Sequence, residues 1–153
     1  MEIADFIAQD RIALDLRVRD KGQLLRELAK RAEPFGGGIP SDTILAALSS
    51  RETLGSTGLG KGFALPHARI EGLTRFVGLF ARLARPIDYD AIDGAPVDLV
   101  FLLLMPASAD NNSADNNSVA ALAAVSRKFR DGASVARLRK ADAATAHTVL
   151  TAG

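Results

Sequence analysis

The sequence predicts an α/β (α+β) sandwich, a mixed central β-sheet flanked by helices and built as one domain over residues 1–153. Three observations carry that expectation. Stretches of strand-like alternation or unbroken hydrophobicity are interleaved with stretches whose apolar residues recur at helical spacing. Glycine, proline and aspartate punctuate the boundaries between them. A chain of 153 residues, 48% hydrophobic and 24% charged, can bury one core without disulfides or metal staples.

In chain order, Ile12, Leu14, Leu16 and Val18 alternate with Ala13, Asp15 and Arg17, the period of a half-buried strand. Asp20 is placed to cap the following helix, whose Leu24, Leu25 and Leu28 line one face until Pro34 and the Gly36–Gly38 run end it. Ser41 or Asp42 opens a second helix, with Ile44, Leu45 and Leu48 as its stripe, reaching to about Arg51. Arg75–Leu83 and Val97–Met105 read as strands. The second is almost wholly apolar, which predicts a central position, and Asp93-Gly94 marks a turn between them. The pentapeptide ADNNS then occurs twice in tandem, at 109–113 and 114–118; its polarity predicts a mobile loop. A helix is expected from Val119 to Asp131-Gly132, and two short alanine-rich helices near 133–140 and 142–150.

Composition excludes several functions. Nineteen basic against eighteen acidic residues leave a net charge of +1, without the basic excess of a nucleic-acid binder. Cysteine is absent, which removes thiolate metal sites and thiol nucleophiles, and His67 and His147 alone do not suggest a metal centre. No cofactor is expected. The N-terminus lacks a basic region followed by an apolar one, and the longest apolar run, Leu99–Met105, is too short to cross a bilayer. A cytoplasmic location is therefore expected, with no membrane insertion.

The stretch from Arg51 to Arg69 concentrates unusual chemistry. Glycines at 55, 58, 60 and 62 permit tight turns whose N–H groups converge into an anion-binding concavity. Arg51 precedes them near a helix C-terminus and offers a forked donor suited to phosphate oxygens. His67 follows Pro66 at the end of a short apolar strand. Its imidazole is nucleophilic near neutral pH and a competent leaving group once phosphorylated. Each feature has a plainer reading: a solvated histidine, an ordinary turn, an arginine that caps its helix. Gly55–Lys61 also matches G-x-x-x-x-G-K, but Gly62 stands where a P-loop needs a hydroxyl, and a helix rather than a strand precedes it.

The run Arg51-Glu-Thr-Leu-Gly-Ser-Thr-Gly-Leu-Gly-Lys-Gly-Phe-Ala-Leu-Pro-His67 resembles the active-site signature of the fructose/mannitol family of phosphotransferase-system enzyme IIA, including its nitrogen-regulatory branch. Pro86–Pro106 is similar to the same family's hairpin and central strand. The resemblance implies that His67 accepts a phosphoryl group from the phosphohistidine of an HPr-type carrier. It implies that Arg51 steadies the phosphoryl oxygens and that Ser56, Thr57 and Gly58 shape the pocket. Family members usually carry a second histidine at the start of the helix after the central strand; here that position falls on Ser118, after a loop lengthened by the tandem ADNNS. Serine cannot become a cation, so it would support phosphohistidine less. His147 lies too far along to replace it and is expected on the surface of the last helix.

The absence of an enzyme IIB segment and the Ala68-Arg-Ile-Glu-Gly72 sequence after His67 look more like the nitrogen-regulatory branch, whose members bind cytosolic regulatory targets according to phosphorylation state. Two alternatives remain open at this point. One is a sugar-specific enzyme IIA serving a separate enzyme IIB, and the other an interaction module that keeps only the fold.

Overall fold

The computed structural model describes residues 1–107 and 112–152, with the backbone alone for 112–115. Six strands form one mixed sheet: β1 Ile12–Leu16, β2 Gly58–Gly60, β3 Phe63–Ala64, β4 His67–Ile70, β5 Val77–Ile87 and β6 Val97–Pro106. The helices are α1 Lys21–Ala32, α2 Ser41–Thr53, α3 Asn112–Arg130, α4 Gly132–Leu138 and α5 Ala143–Thr151. The strand order is β1-β5-β6-β3-β2, with β4 also pairing β6. β6 is central, as its unbroken hydrophobicity predicts. It runs antiparallel to β5 and parallel to both β3 and β4, and Val97, Val100 and Leu102 are fully buried.

Each face of the sheet has its own core. On one, α1 and α2 lay Leu24, Leu28, Ile44 and Leu48 over Ala81, Val100, Leu102 and Leu104. On the other, Ala121, Val125 and Phe129 of α3, with Ala146, Val149 and Leu150 of α5, cover Phe80, Leu99, Phe101 and Leu103. Each fully buried Leu or Phe contributes about 1.5–3 kcal/mol. Asp20 caps α1 as expected, its carboxylate accepting from the Gln23 amide at 2.7 Å.

Four expectations require correction. β1 is not half-buried: Ala13 and Leu16 enter the first core while Ile12 and Leu14 pack against the second. Asp15 adopts φ 54° and breaks the strict alternation, which is how Ala13 and Leu16 come to share a face. His67 opens β4 rather than ending a strand. The segment read as a mobile loop is in part helical, because α3 begins at Asn112 and contains the whole second ADNNS copy and the last two residues of the first; residues 109–111 lie outside the described residues. Ser118 lies inside this helix and is 1% exposed. Finally, β2 and β3 form an antiparallel pair across the glycine-rich segment. Gly58 belongs to it because a Cβ there would meet the Ala91 backbone at 2.8 Å.

Candidate functional site

His67 pairs with Leu103, which in turn pairs with Gly78, so the three stand in one cross-strand row. Leu103 belongs to the core beneath α3, which places the imidazole on that face of the sheet. β4 pairs only with β6 and leaves an open side there, past which α2 delivers Arg51 from the opposite face. The two meet in a cleft of about 430 Å³ lined by Arg51, Leu54, His67, Arg69, Met105 and Leu122.

The imidazole is fixed at both nitrogens. Nδ1 lies 2.8 Å from the Leu65 carbonyl, an acceptor only, so Nδ1 carries the proton. Nε2 therefore holds the lone pair, and the Arg51 Nε–H donates to it at 3.3 Å. The guanidinium is anchored by a second bond, Nη1 to the Gly55 carbonyl at 3.0 Å. Burial, followed by the charges of Arg51 and Arg69, pulls His67 down; the Leu65 bond and the Glu52 carboxylate pull it up. The balance lies below the ordinary histidine value of 6.5. The ring is thus neutral at physiological pH, with its nucleophilic nitrogen facing a forked cation in an accessible cleft.

Behind Arg51 lies a second layer of polar groups. Glu52, with a side chain 7% exposed, accepts from the Thr57 amide at 3.1 Å and from the Thr57 hydroxyl, and pairs with Lys21 Nζ at 2.9 Å. Thr57 Oγ1 also lies 3.0 Å from the Tyr89 hydroxyl. Burial and the Glu52 charge push Tyr89 far above its ordinary value. Tyr89 keeps its proton and is the donor to Thr57, whose own proton goes to Glu52. Ser56 Oγ donates to the Tyr89 carbonyl at 2.9 Å and accepts from the Gly58 amide at 3.1 Å.

This arrangement revises the anion concavity expected of the glycine-rich segment. The amides of Thr57, Gly58 and Lys61 are engaged by Glu52, Ser56 and Asp93 and do not converge on the cleft. Ser56, Thr57 and Gly58 stand behind Arg51, not along the cleft wall, and Thr57 is only 2% exposed. Arg51 and His67 are brought together directly. Ser118 lies one helical turn before Leu122, which places it on the α3 face that borders the cleft. His147 is on α5, partly exposed and outside the cleft.

Sequence reasoning missed Glu52, Lys21, Tyr89, Arg69 and Leu122. Arg69 was accessible to it, being two residues beyond His67 on a strand and hence on the same face. Lys21 and Tyr89 carry no local signal. Among the described residues no group of three or more His, Asp or Glu could hold a metal ion, and no helix is long and apolar enough to cross a membrane.

Residues 5–151 match the family model described as "Phosphoenolpyruvate-dependent sugar phosphotransferase system, EIIA 2". The chain belongs to this enzyme IIA family. It is 42% identical to the nitrogen regulatory protein of Bradyrhizobium diazoefficiens over 151 residues, covering 98% of this chain and 95% of the relative. The crystal structure of nitrogen regulatory protein IIA-Ntr from Neisseria meningitidis superposes with a TM-score of 0.87 at 33% identity, covering 97% of this chain and 99% of that one. Enzyme IIA of the Escherichia coli mannitol system, solved in complex with phosphorylated enzyme IIB, shares the fold at a TM-score of 0.74 and 16% identity, over 94% of this chain and 96% of that one.

Proposed function

We propose that this chain is a phosphocarrier of the nitrogen-regulatory kind, accepting a phosphoryl group from a phosphohistidine of an HPr-type carrier onto His67 Nε2. The observation that carries the reading is the pairing of a tautomer-fixed imidazole with Arg51 in an open cleft. In the transfer, the Nε2 lone pair attacks phosphorus in line, an N–P bond forms, and the donor's N–P bond breaks with its electron pair returning to the donor imidazole. Like bonds are exchanged, so the demand on the protein is for positioning and charge stabilisation, not for a cofactor. Nδ1 keeps its proton and donates a hydrogen bond to the Leu65 carbonyl, whose dipole offsets positive charge developing in the ring. Arg51 leaves the lone pair for the incoming phosphoryl oxygens, a short movement from 3.3 Å. Arg69, lining the same cleft, adds positive charge.

Ser56, Thr57 and Gly58 serve this site indirectly, by shaping the turn that holds Arg51. The chain works as one unit in the cytoplasm, and a phosphoryl dianion at His67 changes the charge of the cleft mouth. Leu54, lining that cleft, is 84% exposed, an apolar contact suited to cytosolic regulatory partners that discriminate the two states.

The test is incubation with enzyme I, HPr and phosphoenolpyruvate, followed by intact-mass and acid-lability analysis of the wild type and His67→Ala. An acid-labile phosphoryl group on the wild type alone is the expected result. No modification in the presence of charged HPr would sink the phosphocarrier reading and leave a binding module.

A further inference from the structure

We infer that Glu52 is a positioning residue for phosphoryl acceptance, acting through the turn at residues 55–57 to hold the Arg51 guanidinium against His67; this rests on the phosphocarrier reading above. Glu52 follows Arg51 on the last turn of α2 but faces away from the cleft, into the sheet. A buried carboxylate loses hydration on the order of several kcal/mol unless it is paired and hydrogen-bonded. Here one oxygen accepts from both Lys21 Nζ and the Thr57 amide, and the other from the Thr57 hydroxyl. Tyr89 extends the chain of donors, and the Lys21 ammonium sits 4.5 Å from the centre of the Tyr89 ring. The carboxylate thus ties the end of α2 and the 55–57 turn just beyond it to two distant elements, α1 through Lys21 and the segment after β5 through Tyr89.

That convergence acts on Arg51 by a short route. The guanidinium is tied to the Gly55 carbonyl, and Gly55 is two residues from Thr57. Gly55 has φ 149°, and a Cβ there would meet no neighbouring atom within 4 Å, so packing does not fix this residue from its open side. The turn is fixed at Thr57 by Glu52, and at Ser56 by the Tyr89 carbonyl. Without the carboxylate, Thr57 loses the acceptor of both its amide and its hydroxyl. The Gly55 carbonyl is then freed to drift, carrying Arg51 with it. A displacement on the order of 1 Å at a positioning group can cost about a hundredfold in rate.

The charge of Glu52 has a second, separable consequence. It opposes the downward pull of Arg51 and Arg69 on His67; these are the charged groups that act on the imidazole among the described residues. Glu52→Gln keeps the shape and an acceptor for the Thr57 amide while removing the charge. Glu52→Ala removes both.

The experiment is phosphoryl transfer from charged HPr in single turnover, with wild type, Glu52→Ala and Glu52→Gln, alongside NMR titration of His67. The expected result for Glu52→Ala is a rate about tenfold lower at saturating HPr with an unchanged half-saturation concentration, since the group touches neither carrier nor phosphoryl. Glu52→Gln is expected to recover most of that rate while its His67 titrates at lower pH than in the wild type. A merely structural role would leave the rate unchanged once folded protein is matched by circular dichroism, whereas the titration reads the Glu52 charge alone. If Glu52→Ala does not fold, Thr57→Val, which keeps volume and the amide bond, carries the test with an expected loss of about threefold. Wild-type rates in Glu52→Ala, or in Thr57→Val where that stands in, overturn this inference alone. Failure of the wild type to accept phosphate from charged HPr overturns both this and the phosphocarrier reading.

Discussion

Two walls face each other across His67, and they are built on opposite principles. The wall from α2 and its following turn carries the charge: Arg51 reaches the imidazole beside Ala47, Ser50 and Leu54, and Glu52, Ser56 and Thr57 stand hydrogen-bonded behind it. The wall from α3 contributes Leu122 to the cleft, with the buried Ser118 one turn earlier. The comparison teaches that positive charge beside His67 comes from Arg51 and Arg69, on α2 and β4, while α3 brings Leu122 and, one turn earlier, the buried hydroxyl of Ser118. Acceptance should therefore depend steeply on the first wall, and the lifetime of the phosphorylated state on the second.

The largest expected effect breaks the first wall. Arg51→Met should lower the rate of phosphoryl acceptance by about 100- to 1,000-fold, the scale of removing one preorganised donor to developing charge. Quench-flow transfer from labelled HPr measures it; a loss below about threefold would show that Arg69 suffices. Next, Ser118→His sharpens the contrast by giving α3 a titratable donor. Hydrolysis of phospho-His67 should slow about tenfold, followed by loss of acid-labile phosphate with time. The larger side chain at a site 1% exposed should also cost about 1–3 kcal/mol in denaturant unfolding.

A matched pair of glycines separates site from scaffold. A Cβ at Gly58 meets Ala91 at 2.8 Å, and one at Gly78 meets Phe6 at 2.9 Å. Both alanine variants should lose about 1–3 kcal/mol of stability by urea unfolding. Only Gly58→Ala, whose amide holds Ser56 in the turn, should also slow acceptance in folded protein. The smallest effect is in titration. Because His67 lies below 6.5, its neutral, nucleophilic form persists as pH falls through 6.5 and is lost only below the depressed value. In Arg51→Met one downward influence is gone, so the NMR midpoint should rise; a fall would contradict the electrostatic account.

The two walls also differ in how far sequence reveals them. Arg51 and His67 stand within a contiguous run, so local pattern draws both to one segment, although it reads His67 as ending a strand where the structure has it open β4. Asp20 as a cap and β6 as the central strand follow equally from local pattern and burial. What local rules missed depends on contacts made across the chain. The glycine-rich amides look free until Asp93 and Tyr89, each more than thirty positions away, return to engage the segment. The polar ADNNS repeat reads as loop because nothing nearby shows that Ser118 will be buried. β1 reads as half-exposed because its alternation does not reveal that both faces of the sheet are covered.

Tyr89 gives this molecule an optical consequence. It is the single tyrosine in a chain without tryptophan, so it alone governs intrinsic emission beyond the weak signal of phenylalanine. Its ring is fully buried beneath the Lys21 ammonium, and its hydroxyl donates into the hydrogen-bond chain that ends at Glu52, the neighbour of Arg51. A change in that chain alters the polarity and proton affinity around the chromophore, so quantum yield and ultraviolet difference absorbance follow the state of the site. If His67 is charged as proposed, tyrosine emission should change in step with it in the unlabelled protein; a flat signal during transfer would show that the chain of bonds is not disturbed.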